Sequence, residues 1–101
     1  MRSIIFGILL AVLSLQVVAV DDDNKIIKRI KIEAADYGYI RVENNFSLGC
    51  LYTAAFFDIA SASGKGYLSL LLSAKLAGVP VTISYEKDSA GKCDISGVAL
   101  D

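Results

Sequence analysis

The side chains that most often perform catalysis are scarce in this chain of 101 residues. It contains no histidine, so no side chain has an ordinary pKa suited to proton transfer at neutral pH. Ser69 and Ser73 lie close in sequence to Lys75, as a serine–lysine pair would require, but all three fall on a segment with the pattern of a packed helix. We therefore expect a binding protein and not an enzyme.

Cys50 and Cys93 are the only cysteines of the chain. Two thiolates without a histidine would supply only half of a zinc site, whereas a lone pair of cysteines in an exported protein usually forms a disulfide. Closing this loop would restrict the unfolded chain by about 4 kcal/mol in the loop-entropy model. We expect a Cys50–Cys93 disulfide, no metal and no cofactor.

Two short motifs have residue types that could bind a ligand. The run Asp21-Asp22-Asp23 could hold calcium or sugar hydroxyls, but it lacks the glycine and glutamate of an EF-hand loop, and a solvated, frayed terminus is the simpler interpretation. Gly64-Lys65 resembles the end of a phosphate-binding loop. Gly66 stands where that motif needs serine or threonine, and the earlier glycine is missing.

The start of the chain has the pattern of a secretory signal peptide. Arg2 precedes an apolar run from Ile4 to Leu15, and Val17-Val18-Ala19 fits a cleavage site. The run is shorter than the roughly 20 residues that span a bilayer, which disfavours the alternative of an uncleaved anchor. We expect a signal peptide at residues 1–19, a single domain at 20–101, no membrane insertion and a periplasmic or secreted location.

Removal of the signal peptide takes away one of ten basic side chains, which leaves a slightly acidic domain with eleven acidic ones. Nucleic-acid binding depends on clustered Lys and Arg that neutralise phosphates. The charge balance therefore predicts no nucleic-acid partner.

The elements that would position these side chains follow from the spacing of apolar residues. Alternation of apolar and polar residues, with turn residues between the runs, is typical of strands. It predicts strands at Arg29–Glu33, Tyr37–Glu43, Cys50–Asp58, Val79–Tyr85 and Cys93–Leu100.

One helix is predicted between the third and fourth of these strands, and residues 61–66 are expected to form the loop that leads into it. Its buried stripe would consist of Leu68, Leu71, Leu72 and Leu76. Gly78 and Pro80 would end it. Leu70 is displaced from the stripe, and it is either covered by the sheet or faces another subunit.

Five strands with one helix after the third are the elements of a mainly β protein with an OB-fold-like, five-stranded small barrel. The same order also permits an α+β arrangement in which the helix lies across an antiparallel sheet. We favour the barrel.

The segment Tyr67–Ile83, in which an apolar helix ends at Gly78 and runs into a Val/Ile strand, carries a family resemblance. With the signal peptide, the small mature chain and the disulfide, it resembles the binding subunits of bacterial multi-subunit toxins, most closely the subtilase-cytotoxin type, and related small exported bacterial proteins. The resemblance implies an OB fold, a homo-oligomeric ring that is commonly a pentamer, glycan binding on host cells, and a catalytic toxin subunit as partner.

A glycan site in this chain would need aromatic faces and short polar acceptors. The chain has no tryptophan, so tyrosines must supply the aromatic platform. The residues predicted to bind the ligand are Asp22, Asp23, Asn24, Tyr37, Tyr39 and Asn44, and Tyr52, Tyr67 and Tyr85 are further candidates for the platform. The alternative function is a periplasmic or secreted protein-interaction module or inhibitor that binds no sugar.

Overall fold

The computed structural model describes residues 17–101, so the predicted signal peptide lies outside the described residues except for its last three. Within the described range, six strands and one helix form. They are β1 (Val18–Lys25), β2 (Ile27–Ile32), β3 (Tyr37–Val42), β4 (Ala55–Asp58), α1 (Ala62–Ala77), β5 (Val81–Lys87) and β6 (Cys93–Leu100), and a short 3-10 turn (Leu51–Thr53) precedes β4.

All six strands belong to one sheet in the order β1-β5-β6-β4-β3-β2. Neighbouring strands are antiparallel except β4 and β6, which run parallel. The protein is therefore mainly β with one helix after the strand Ala55–Asp58, as predicted. The count of five strands was one short.

The additional strand is β1, which includes the acidic run that was expected to be frayed. It pairs with β5 so that Val20 lies opposite Tyr85 and Asp22 opposite Ile83. Val20 packs against the core, and Asp22 is buried because its carboxylate has hydrogen-bond partners inside the protein. Because the inward-facing Asp22 is acidic, the run lacks the alternation of apolar and polar residues that indicates a strand.

Among residues 17–101, no ladder of hydrogen bonds joins the two edge strands β1 and β2, so hydrogen bonding does not close the sheet into the predicted barrel. These two edges are nevertheless consecutive in the chain, and only Ile26 separates them. Lys25 pairs with Val81 on one side of this residue, and Ile27 pairs with Val42 on the other. The sheet therefore curls so that its two edge strands meet at Ile26.

The core lies on the concave side of this curled sheet. Alternation in β5 directs Val81, Ile83 and Tyr85 inward, and all three are fully buried. Ile40 from β3 and Leu71 from α1 complete the centre. The opposite parity of β3 consequently faces outward.

Helix α1 begins five residues earlier than predicted, because Ser61 and Gly64 make a tight start. The Ser61 hydroxyl accepts a hydrogen bond from the Gly64 N–H at 2.9 Å, which is an N-cap. A Cβ atom at Gly64 would lie 1.4 Å from the Asp58 carbonyl oxygen, so only glycine allows the helix to start against the end of β4. The helix ends as predicted at Gly78, which has a left-handed φ of 68°.

The predicted buried stripe of α1 is only half correct. Leu71 is fully buried and Leu68 packs against the core, but Leu72 is exposed and 87% of the Leu76 surface is accessible. The helix contacts the sheet through Gly64, Leu71 and Ala74. Because Gly64 and Ala74 are small, the helix backbone lies close to the strands. Leu70 is half-buried, and its role at a subunit interface stays a prediction.

The third predicted strand is shorter than expected, since residues 51–53 form the 3-10 turn and only Ala55–Asp58 is extended. The Cys50–Cys93 disulfide is confirmed, with the two Cα atoms 5.5 Å apart and both residues buried. It joins the chain just before this turn to the start of β6. No helix in residues 17–101 is both long enough and apolar enough to cross a membrane.

Candidate functional site

A groove of about 260 Å³ lies on the outer face of β3 and β4, on the side of the sheet away from the core. It exists because the sequence of β3 alternates, with Gly38, Ile40 and Val42 facing inward and an aromatic and basic set facing outward. The lining residues are Glu33, Tyr37, Tyr39, Arg41, Tyr52, Ala54 and Phe56.

The floor of the groove is an aromatic cluster across two strands. Tyr39 and Phe56 are directly opposite in the β3–β4 ladder, and their ring centroids are 5.7 Å apart. The Tyr37 ring lies 6.3 Å from that of Phe56. Aromatic pairs at these distances stabilise a sheet surface. Tyr39 is buried in the cluster, whereas 42% of Tyr37 is exposed and available for contact.

Tyr52 stands on the 3-10 turn beside this floor, and 70% of its surface is exposed. Both Tyr52 (φ 59°) and Thr53 (φ 54°) are left-handed, a conformation that costs energy in residues with a side chain. The turn is fixed by the disulfide at Cys50 and by the Leu51 N–H, which donates to the Gly91 carbonyl oxygen at 2.8 Å. Tyr52 is therefore held in place by a braced loop.

Two cations flank the aromatic floor. The Arg41 guanidinium lies 5.2 Å from the centroid of the Tyr39 ring, and the Lys92 ammonium lies 5.1 Å from that of Phe56. Both distances are in the range of cation–π attraction. Glu33, at the other end of the groove from Arg41 along the strand, forms an ion pair with Lys31 at 3.1 Å. The groove thus combines exposed ring faces with charged hydrogen-bonding groups.

Of the six residues predicted to bind the ligand, only Tyr37 and Tyr39 line the groove. The Asp23 carboxylate accepts a hydrogen bond from the Thr82 hydroxyl at 3.2 Å. Asn24 has a left-handed φ at the shift in the β1–β5 register, and Asn44 has one in the turn after β3. These three side chains do not line the groove, and the predicted set is not one cluster.

The sixth predicted residue, Asp22, is 5% exposed and lies in a buried polar network. Its carboxylate accepts hydrogen bonds from the Ser47 N–H at 2.8 Å, from the Tyr85 hydroxyl at 2.8 Å and from the Ser47 hydroxyl. The Leu48 N–H donates to the Tyr85 oxygen at 3.2 Å. The network ties β1, β5 and the loop after β3 together, so the partners of Asp22 are within the protein.

The network also shifts the acidity of its members. Burial alone would raise the pKa of Asp22, but the hydrogen bonds from Ser47 and Tyr85 and the charge of Lys25 outweigh it, and the net pKa is below the ordinary value. Burial, together with the hydrogen bond to Asp22 and its negative charge, raises the pKa of Tyr85. At neutral pH, Asp22 is therefore ionised and Tyr85 is neutral.

Sequence reasoning missed Arg41, Phe56 and Glu33 as groove residues. A signal for Arg41 was present, since Tyr37, Tyr39 and Arg41 share one parity of a predicted strand and must face the same way. Phe56 had no such signal, because the β3–β4 register cannot be read from either strand alone.

The groove can stack a ring against exposed aromatic faces and hydrogen-bond its substituents through the Tyr hydroxyls, Arg41 and Glu33. This chemistry suits binding of a small polar ligand with an apolar face. No protein-family model, no curated protein and no solved structure matches this chain.

Proposed function

We propose that this protein is a small exported binding module that recognises a glycan in the groove on β3 and β4. The observation that carries the proposal is the aromatic lining, in which Tyr37 and Tyr52 are exposed and the buried ring of Tyr39 is packed against Phe56. Sugar rings present apolar C–H faces and peripheral hydroxyls. An aromatic surface bordered by an arginine and a glutamate complements both.

The braced loop supports this assignment. Holding Tyr52 and Thr53 in left-handed conformations costs energy, and such strain is usually kept where it serves a site. A ring that is fixed before the ligand arrives loses less entropy on binding than a mobile one. The disulfide at Cys50 therefore contributes to the site as well as to the core.

The sheet topology favours an OB-type barrel as the finer description of the fold. The edge strands β1 and β2 are joined at Ile26, and residues 25 and 27 can be at most about 7 Å apart. Their partners Val81 in β5 and Val42 in β3 are thus drawn toward each other. β6 lies between β4 and β5, so the order is not a simple meander. In OB folds, the face of the second and third barrel strands binds oligosaccharides or oligonucleotides. If β1 and β2 together form the first barrel strand, β3 and β4 supply that face.

An exported location agrees with the disulfide, because oxidising compartments are where such bonds persist. The pattern of the first 19 residues points the same way. We propose a periplasmic or secreted protein on these two grounds.

A glycan array tests the function, followed by titration of the best saccharide in a calorimeter. Tyr37→Ala and Tyr52→Ala should each weaken binding by about tenfold or more, since stacking on one aromatic ring contributes roughly 1–3 kcal/mol. Lys75→Ala is the control, because it removes an exposed side chain on α1 that does not line the groove. Absence of any bound glycan, or equal losses in all three variants, would contradict the proposal.

One observation favours the alternative, a protein-interaction module. Leu72 and Leu76 lie one turn apart on α1 and are both exposed, and a helix with apolar residues on its outer side often contacts another chain. A homo-oligomer, as the toxin resemblance implies, would cover them. Sedimentation of wild type and of the Leu72→Ser/Leu76→Ser double variant distinguishes the cases. A larger wild-type species that the double variant loses supports a role of this face in assembly, whereas a wild-type monomer does not.

A further inference from the structure

The end of the groove formed by Arg41 carries positive charge that the fold leaves unneutralised. Arg29 in β2 and Arg41 in β3 are directly opposite each other in the antiparallel ladder. Residues paired in this way have Cβ atoms about 5 Å apart, and like charges on directly opposite residues destabilise a sheet. The ion pairs among the described residues are Lys31–Glu33 and Lys92–Asp94, so neither arginine is paired within residues 17–101.

Arg41 also has a buried donor without a partner. Its Nε atom is inaccessible to solvent and makes no hydrogen bond with any described residue. Such a donor is unfavourable unless a group from outside the chain satisfies it. The guanidinium carbon lies 5.2 Å from the centroid of the Tyr39 ring, and Arg41 lines the groove.

The nearest acidic side chain in the groove does not neutralise this end. Glu33 already forms an ion pair with Lys31, which lies opposite Tyr39 and is two residues from both Glu33 and Arg29. The groove therefore has a neutralised end at Glu33 and a cationic end at Arg41, and Arg29 lies opposite Arg41 in the ladder without lining the groove. A neutral sugar would leave the cationic end unmatched.

We propose that Arg29 and Arg41 form an anion subsite, and that the ligand is a sugar carrying a sulfate or phosphate ester. This inference rests on the proposed glycan function and names the ligand class for the same groove. Each guanidinium group donates through a pair of N–H groups, and the two oxygens of one carboxylate can match only one such pair well. The three terminal oxygens of a sulfate or phosphate ester can accept from both guanidinium groups. The ester oxygens accept from the terminal N–H groups of the Arg41 and Arg29 guanidinium groups, while the sugar ring stacks on the aromatic side chains.

The test uses a glycan array that presents the same saccharides unsubstituted, as sulfate esters, as phosphate esters and as uronic acids. Sulfated or phosphorylated forms should bind about tenfold more tightly than their parents, as one charge-assisted hydrogen bond predicts. The two ester series show which of the two anions is preferred. Arg29→Gln and Arg41→Gln should each remove the preference, while Lys75→Gln, an exposed lysine on α1 outside the groove, should retain it. Arg41→Lys keeps the charge but cannot form the fork, and should recover only part of the preference.

The outcomes separate this inference from the function on which it rests. Glycan binding without a preference for esters, an equal preference for uronic acids, or a preference that survives Arg41→Gln overturns the anion subsite and leaves the glycan function standing. Tighter binding to oligo(dT) than to any glycan overturns both.

If no glycan binds, inorganic sulfate and phosphate are titrated against the Arg Nε–H signals in NMR spectra. A saturable shift of the Arg41 signal that Arg29→Gln abolishes supports the subsite although the glycan function has failed. No shift overturns the subsite. Circular dichroism and a melting temperature within a few degrees of wild type establish that each variant is folded.

Discussion

Two regions of this small sheet combine a tyrosine with charged and polar neighbours, and they differ in whether their polar groups are satisfied. Inside, the Asp22 carboxylate accepts from Ser47 and Tyr85, and the Tyr85 oxygen accepts from the Leu48 N–H. Outside, Arg41 lies beside Tyr39, with its Nε atom buried and without a partner among the described residues. Within residues 17–101, the first region is complete and the second is not.

This difference separates a structural role from a binding role. A satisfied buried network stabilises the fold because breaking it leaves several polar groups without partners. An unsatisfied buried donor weakens the fold, and the exposed groove side chains around it are free to contact a ligand. Substitutions in the network should therefore change stability, and substitutions in the groove should change binding.

The largest effect is expected where one element supports both regions. Cys93→Ser opens the disulfide, frees the loop that carries Tyr52, and should lower the free energy of unfolding by about 4 kcal/mol. Urea denaturation without reducing agent measures the loss. Reduced wild-type protein should match the variant, and an unchanged midpoint in Cys93→Ser would show that the bond does not stabilise the protein.

Next in size is removal of the buried carboxylate. Asp22→Ala deprives Ser47 and Tyr85 of their acceptor and should reduce stability by about 3 kcal/mol. Asp23→Ala, at the neighbouring exposed position, should change it by no more than about 0.5 kcal/mol. Equal effects of the two substitutions would mean that the acidic run acts only through its overall charge.

The acidity of Asp22 gives the network a pH dependence with a definite sign. Its pKa is lower in the folded state, so its contribution is present above the unfolded value of about 3.9 and is lost as the pH falls through the folded pKa. The stability difference between wild type and Asp22→Ala should therefore shrink below about pH 4. Denaturation at a series of pH values measures it, and a difference that grows on acidification would contradict the assignment.

Tyr52 offers the smallest effect on stability and the clearest separation of the two roles. The left-handed conformation of Tyr52 costs about 1 kcal/mol, and Tyr52→Gly removes that cost. Glycine also loses more conformational entropy on folding, which offsets the gain to a similar extent. Stability should be nearly unchanged while glycan binding weakens by about tenfold or more. Tyr39→Ala is the contrasting variant, because it removes a buried ring and should lower both quantities. A Tyr52→Gly protein that binds normally would remove Tyr52 from the site.

The sequence was sufficient for features that depend on local spacing. The alternation in β3 and β5, the end of the helix at Gly78 and the pairing of the only two cysteines all follow from residues close in the chain or from the cysteine count. The outward parity of Tyr37 and Tyr39 belongs to the same class, and both tyrosines do line the groove.

Features that depend on contacts between distant segments were not predictable. Strand β1 forms through an acidic residue whose partners, Ser47 and Tyr85, are far along the chain. Helix α1 packs through Gly64 and Ala74, so the leucine pattern assigned Leu72 and Leu76 to the wrong side. The groove itself requires the register between β3 and β4, which places Phe56 against Tyr39.

An NMR titration of the wild-type protein with the tightest saccharide from the array locates the binding site directly. We expect saturable shifts confined to the groove, in the Tyr37, Tyr39, Tyr52 and Phe56 ring signals and the Arg41 Nε–H signal. The signals of the Asp22–Ser47–Tyr85 network should not move. Shifts centred on Asp23, Asn24 and Asn44, or on the exposed leucines of α1, would contradict the proposal and place the site elsewhere on the molecule.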